Sequence, residues 1–243
     1  MPSSPRQRTL SVVSVVVALV GATAWLATTP QPLGTTVRSL VALRSTVPDD
    51  DPGAHHRFLQ TQPGSTDPVG WDPCRTVRLV VDPTGSPEGF SRILDDTVAE
   101  VREASGLDLE VVGTTDARNF DGRRALGPDP DPVLVGWADA QEVPGLAGDV
   151  AGLGGAVSVG SGGQRRYTTG SLVLDRDLLE QVAGRRDADA VIGAVLLHEL
   201  GHVVGLGHVA DRGEIMHRDG VTRLDLGPGD REGLARLGAL PCA

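Results

Sequence analysis

The chain has 243 residues, with 32 acidic and 22 basic side chains and a formal net charge of −10. This length suits one large domain or two small ones, and a hydrophobic share of 40% suffices for one core. An acidic balance without a long basic run argues against nucleic acid as the main partner. Two cysteines exclude a disulfide-rich scaffold and a zinc ribbon built on several thiolates.

The first 28 residues have the pattern of an export signal. Arg6 and Arg8 precede an uncharged apolar run over residues 10–28, which is just long enough to cross a bilayer as a signal anchor. A cleavable signal peptide is the alternative, because residues 22–24 fit a small-x-small cleavage site. Both interpretations place the remaining chain outside the cytoplasm, secreted or anchored by residues 10–28. The membrane is then contacted only through this N-terminal segment.

Residues 29–70 have the composition of a disordered linker. They are rich in proline, carry the acidic run 49–51 and show little apolar periodicity. Such a segment cannot bury enough apolar surface to offset its ordering entropy. It would serve as a spacer, with a short pro-segment as the alternative, and its two histidines are expected in solvent. We place the folded domain at residues 71–243.

The predicted elements of this domain alternate between strand and helix periods. Strands are expected at 76–82, 107–111, 133–138, 156–159 and 171–174. A first helix is expected to start at Ser86 as N-cap, with Pro87 at N1, and to stop at Gly106. A second helix, capped by Asp187, ends at Val204, and a last helix lies within 226–238.

The second predicted helix is apolar on nearly all sides, which places it inside the protein. His198, Glu199 and His202 are the exceptions. Burying such groups without partners costs several kcal/mol, so they need a ligand or an ion. The sequence is therefore most informative at this helix.

These residues have the spacing of a catalytic zinc site. His198 and His202 are four residues apart, so both imidazoles leave one face of the helix and can reach one Zn²⁺. Glu199 can stand beside the metal as the general base for a zinc-bound water. Gly205 allows the sharp turn that ends the helix and returns His208 as third ligand. Three imidazoles leave one position open for water, whereas chance alone rarely produces the whole pattern.

This motif resembles the signature of the metzincin metalloproteases, His-Glu-x-x-His-x-x-Gly-x-x-His followed by a Met-turn. The stretch from His208 to Met216, with Asp211 and Gly213 within it, is similar to the matrixin branch of matrix-metalloprotease-like enzymes, here of a bacterial secreted type. The resemblance implies an α+β, zincin-like fold. A mostly parallel, twisted five-stranded sheet would carry an antiparallel edge strand and a buried active-site helix. A small C-terminal subdomain would hold the Met-turn and the last helix.

The resemblance also implies an activity and its site. One catalytic Zn²⁺ would be held by the three histidines, with Met216 as an apolar floor beneath it; core filler is the alternative role for this Met. A protein or peptide substrate would lie extended along Gly155, Ala156 and Val157, and residues 218–226 would line the specificity pocket. A monomer is expected. The rival classes are an exported zinc-binding module without peptidase activity, and a zinc hydrolase of non-peptide amides or esters.

The chain also departs from the matrixin pattern. Residues 57–197 contain no His, so the second, structural zinc site of animal matrixins is not expected. Ca²⁺ binding is left open, because Asp175 remains while Leu178 replaces an expected acid; Asp175 could instead cap a strand end. His217 stands where many matrixins have Tyr and is expected on the surface, with a position facing the cleft as the alternative.

The two cysteines, Cys74 and Cys242, lie near the ends of the predicted domain. An even pair in an exported protein predicts a disulfide. A Cys74 thiolate that blocks the zinc is the alternative.

Overall fold

The computed structural model describes residues 54–161, 163–182 and 184–243. The predicted export signal and residues 29–53 of the predicted linker lie outside this part. The described strands are β1 (Arg57–Phe58), β2 (Val77–Val81), β3 (Leu109–Thr114), β4 (Val133–Ala138), β5 (Gly152–Ser161), β6 (Gln164–Asp175) and β7 (Leu206–Gly207). The described α-helices are α1 (Phe90–Ser105), α2 (Arg176–Val182), α3 (Ala188–Val204) and α4 (Pro228–Gly238).

Five of the described strands form one sheet in the order β3–β2–β4–β6–β5. The pairs β2–β3, β2–β4 and β4–β6 are parallel, and the edge strand β5 is antiparallel to β6. This arrangement confirms the predicted α+β fold with a mostly parallel sheet and an antiparallel edge strand. β4 has the predicted bounds because its six residues are all buried and form one apolar run.

The main core lies between the sheet and helices α1 and α3. Val133, Val135 and Trp137 of β4 belong to this core, while Leu134 and Ala138 point into a smaller cluster on the opposite face. The sheet is therefore covered on both faces, as parallel strands require. Helix α3 is exposed in its first turn and buried throughout residues 194–204, which confirms the buried active-site helix of the predicted fold.

Several elements differ from the predicted ones, including β3, which spans Leu109–Thr114 rather than 107–111. Helix α1 begins at Phe90, because the Ser86 hydroxyl donates to the carbonyl of Pro83 in a preceding turn and Gly89 takes the N-cap position. β5 and β6 are much longer than expected, since a strand rich in glycine shows little apolar alternation. Asp187 does precede α3, but its carboxylate binds the Arg185 guanidinium and makes no capping bond.

The predicted linker is wrong for residues 54–70, which are folded against the domain. β1 pairs antiparallel with β7, and the Leu59 N–H donates to the carbonyl of Gly205 over 2.8 Å. Leu59 and Val69 are buried. The pairing is non-local and each strand has only two residues, so no sequence period reports it. We call residues 55–62 the strap, because they cross from α4 to the β5–β6 hairpin.

The domain is closed by a disulfide between Cys74 and Cys242, which are 168 residues apart. Cys74 is therefore bonded rather than available as a thiolate that blocks the zinc. In the part of the chain that the structure describes, no helix combines the length and apolar character needed to span a bilayer.

Candidate metal centre

Helix α3 carries the first two residues of the predicted metal motif. His198 and His202 are buried, and their ring centroids are 4.9 Å apart on one face of the helix. Nδ1 of His198 donates to the carbonyl of Ile215 over 2.7 Å, and Nδ1 of His202 donates to the carbonyl of Leu206 over 2.8 Å. A carbonyl oxygen only accepts hydrogen bonds, so each neutral ring carries its hydrogen on Nδ1 and presents a lone pair at Nε2.

The turn after α3 returns the third histidine to the first two. Gly205 has a φ of 129°, a conformation that side chains rarely adopt, and its N–H donates to the carbonyl of Gly201 over 3.0 Å. His208 Nε2 then lies 3.1 Å from Nε2 of His198 and 3.0 Å from Nε2 of His202. The structure therefore brings the three predicted ligands together.

The three converging nitrogens fit a metal ion. A neutral His208 can place at most one hydrogen on Nε2, so at least one of its two short contacts would set lone pairs against each other. A cation bound to all three nitrogens removes this repulsion. Zinc binds imidazole nitrogen at about 2.0–2.1 Å and accepts three neutral imidazoles as ligands. The chemistry of this donor set therefore matches zinc.

Glu199 follows His198 on α3 and lies against the edge strand of the sheet. Its side chain is buried, and its Cγ is 2.8 Å from the position that a Cβ atom would take at Gly152 in β5. A Cβ atom at Gly154 would overlap with the backbone carbonyl oxygen of Glu199. Two glycines thus allow β5 to run directly over this residue.

The predicted substrate strand is part of the same contact. Gly155, Ala156 and Val157 lie in β5 directly after Gly154 and pair with β6 along one edge of the strand. Gly155 and Ala156 are buried, while Val157 is half-buried. The predicted substrate strand and the predicted base are therefore neighbours in the fold.

Met216 lies beneath the helix that carries the ligands. It is buried, and its Sδ is 2.6 Å from the position that a Cβ atom would take at Gly201, between the two helical histidines. The turn is held by Val209, whose N–H donates to the carbonyl of Met216 and whose carbonyl accepts from the Arg218 N–H, each over 3.0 Å. Met216 thus packs against the helix that carries the first two predicted ligands, and it also belongs to the main core.

Two further predictions concern His217 and Asp175. The prediction of a surface position for His217 is wrong: the residue is 3% exposed, because it pairs beside Val209, and its Nδ1 accepts from the Asp219 N–H. Asp175 accepts from the Asp177 N–H over 3.2 Å at the start of α2, which is a capping contact. Burial raises the pKa of the Asp175 carboxyl.

The prediction of solvated histidines is wrong for His56, whose side chain is 14% exposed, whereas the side chain of His55 is 69% exposed. His55 Nδ1 lies 2.9 Å from the Asp211 carboxylate, and His56 packs edge-on against Phe58 and contacts Arg236. The Gly213 N–H and the His55 ring hold the pKa of the Asp211 carboxyl below its usual range.

Sequence reasoning missed two buried carboxylates next to the Met-turn. Glu214 precedes Met216 by two residues, and Asp230 stands in the first turn of α4. An acid in the first turn of a helix is a known signal, but nothing in the sequence shows that it faces another acid. The two residues lie 16 apart, and only the tertiary structure joins them.

Comparison with known proteins supports a peptidase domain. Residues 140–237 match the sequence model of the matrixin family, and this match supports a zinc metallopeptidase. The predicted resemblance and enzyme class are thereby confirmed. Archaemetzincin from Methanopyrus kandleri is similar in structure, with a TM-score of 0.41 and 19% identity over 67% of this chain and 94% of that chain. No curated protein matches the chain.

Proposed function

We propose that this protein is an extracytoplasmic zinc-dependent endopeptidase with Glu199 as its general base. The observation that carries the proposal is that Nε2 of His208 lies 3.1 Å from Nε2 of His198 and 3.0 Å from Nε2 of His202, with the buried Glu199 directly after His198. Metal binding alone does not need this carboxylate, whereas peptide hydrolysis needs a group that moves a proton.

His198, His202 and His208 would hold the zinc ion. When bound, zinc supplies Lewis acidity that lowers the pKa of water towards neutrality and stabilises negative charge on a carbonyl oxygen. The carbonyls of Ile215 and Leu206 keep two of the rings in the tautomer that a metal requires.

Glu199 would move the proton during hydrolysis. Its carboxylate accepts a proton as water attacks the scissile carbonyl, and then donates that proton to the departing amine. Burial against β5 supports this role, because it fixes the side chain where the helix of the predicted ligands meets the proposed substrate strand. Glycine at position 152 leaves the space that the carboxylate occupies.

The peptide would bind along the edge strand. β5 pairs with β6 on one side, and an extended peptide can add to the other side of residues 155–157 through backbone hydrogen bonds. Residues 218–226 would line the pocket that selects a side chain. The disulfide supports an extracytoplasmic location, since such bonds persist in oxidising compartments.

The test compares the full oxidised chain with two variants, Glu199→Gln and His198→Ala. We would quantify bound zinc and assay cleavage of a mixed peptide library with and without a chelator. We expect one zinc per chain in the wild type and in Glu199→Gln, cleavage only in the wild type, and loss of that cleavage with chelator. His198→Ala should lose both zinc and cleavage.

Other outcomes would change the assignment. Zinc binding without cleavage of any peptide by the wild type would favour a zinc-binding module. Hydrolysis of amide or ester probes without peptide cleavage would favour a non-peptide hydrolase. A folded wild type that binds no zinc would overturn the metal centre itself.

A further inference from the structure

Glu214 and Asp230 are among the most deeply buried charged side chains of the described residues, 2% and 1% exposed. Glu214 lies in the Met-turn, and Asp230 lies in the first turn of α4. Neither residue takes part in the chemistry proposed above. Buried carboxylates need hydrogen-bond partners, and the identity of those partners shows what the pair does.

The two carboxylates form a reciprocal clasp between the Met-turn and α4. Glu214 accepts from the backbone N–H groups of Gly229 and Asp230, over 3.0 and 2.8 Å. Asp230 accepts from the backbone N–H groups of Ile215 over 2.6 Å, Gly227 over 2.8 Å and Met216 over 3.4 Å. Each acid therefore binds the backbone of the segment that carries the other.

Glycine makes the clasp possible. A Cβ atom at Gly227 would overlap with Oε2 of Glu214, so a side chain there would push the carboxylate away from α4. The N–H groups at the start of a helix are unsatisfied within the helix and favour negative charge. They supply part of the stabilisation that two neighbouring buried acids require.

One peptide unit connects the clasp to the metal centre. The N–H of Met216 and the carbonyl of Ile215 belong to the same peptide plane. The N–H side binds Asp230, while the carbonyl side accepts from Nδ1 of His198 over 2.7 Å. A carboxylate on the N–H polarises the carbonyl and strengthens its bond to the imidazole. The opposite ring nitrogen, Nε2, is the one that faces the other two histidines.

We propose that Asp230 and Glu214 are positioning residues of the metal centre, which hold the 215–216 peptide so that its carbonyl fixes the ring of His198 for the metal. The inference rests on the proposed zinc site. Partners of this kind behind a metal-ligating histidine change metal affinity by about 10- to 100-fold when they are removed. The clasp also holds Met216 under α3, because it binds that residue's own N–H.

The test measures zinc affinity by competition with a chromogenic chelator, using the full oxidised chain. Asp230→Asn and Glu214→Gln keep the size of each side chain but remove its charge. We expect each variant to bind zinc about 10- to 100-fold more weakly than the wild type. Glu232→Gln is the matched control, because Glu232 lies on α4 two residues after Asp230 and its side chain is 66% exposed. Its zinc affinity should equal that of the wild type.

A second readout separates positioning from a merely structural role. We would measure the melting temperature of each protein without metal and with saturating zinc. A structural role lowers both temperatures equally, whereas a positioning role also reduces the increase that zinc produces. Wild-type zinc affinity in folded Glu214→Gln and Asp230→Asn would overturn the inference and leave the proposed function standing. A folded wild type that binds no zinc would overturn both.

Discussion

Gly154 and Glu199 approach so closely that a Cβ atom at Gly154 would overlap with the backbone carbonyl oxygen of Glu199. The edge strand and the helix that carries the predicted metal ligands thus touch backbone to backbone at the residue proposed as base. This contact sets the distance between the proposed substrate strand and the proposed catalytic group. It also explains why a strand with weak apolar alternation occupies this place in the sheet.

Gly154→Ala should therefore be strongly destabilising. The extra methyl group must separate β5 from α3, and overpacking of this kind costs about 1–3 kcal/mol or more. Chemical denaturation should show the loss, and peptide cleavage should fall further than the loss of folded protein explains. Gly160→Ala is the matched control in the same strand, because the nearest atom to its Cβ position is 3.8 Å away. Equal stability of the two variants would contradict the prediction.

The stability of the metal-free protein should depend on pH through Asp230. Burial, with the neighbouring Glu214 as a further cause, raises the pKa of the Asp230 carboxyl to about 6. The folded state favours the protonated form of Asp230. Its contribution to the free energy of unfolding is therefore fully present below the unfolded pKa near 4 and is lost as pH rises through 6.

The measurement compares the free energy of unfolding of metal-free wild type and Asp230→Asn between pH 4 and 8. The stability of the wild type relative to the variant should fall with rising pH by up to roughly 3 kcal/mol, since one pKa unit corresponds to about 1.4 kcal/mol. Glu103→Gln, which removes an exposed acid of α1, should show no such change relative to the wild type. A pH-independent difference between wild type and Asp230→Asn would contradict the prediction.

The strap should be required for a stable domain. A chain starting at residue 54 keeps β1, the buried Leu59 and the bond from the Leu59 N–H to Gly205. A chain starting at residue 71 loses all three features, which lie next to the turn that presents His208. We expect the first chain to match the full chain in melting temperature and zinc affinity. The second should melt lower and bind zinc more weakly, and equal behaviour of both would show that the strap is dispensable.

The disulfide should contribute substantially to stability. For a loop of 168 residues, the chain-entropy model gives about 5 kcal/mol. A double variant, Cys74→Ser with Cys242→Ser, should unfold at lower denaturant concentration than the oxidised wild type. Reductant should shift the wild type towards the double variant and leave the variant unchanged. If the oxidised wild type and the double variant unfold at the same denaturant concentration without reductant, the disulfide does not contribute to stability.

The metal motif could be predicted from sequence because its geometry is local. His198 and His202 lie on one helix, and His208 returns within six residues through a turn that needs glycine. The strap could not be predicted in this way, since Arg57 pairs with Gly207 about 150 residues later. The clasp between Glu214 and Asp230 is likewise a tertiary contact, and each acid alone has the pattern of an ordinary surface residue.

The pairing of β1 with β7 bears on the order of assembly. The turn that presents His208 gains its neighbouring strand only when residues 57–58 and 206–207 are both available, and contacts between such distant residues form slowly. We therefore expect zinc-binding competence to arise late, after nearly the whole chain has been synthesised. A chain whose synthesis stops before β7 would lack an assembled metal centre and could not cleave other proteins.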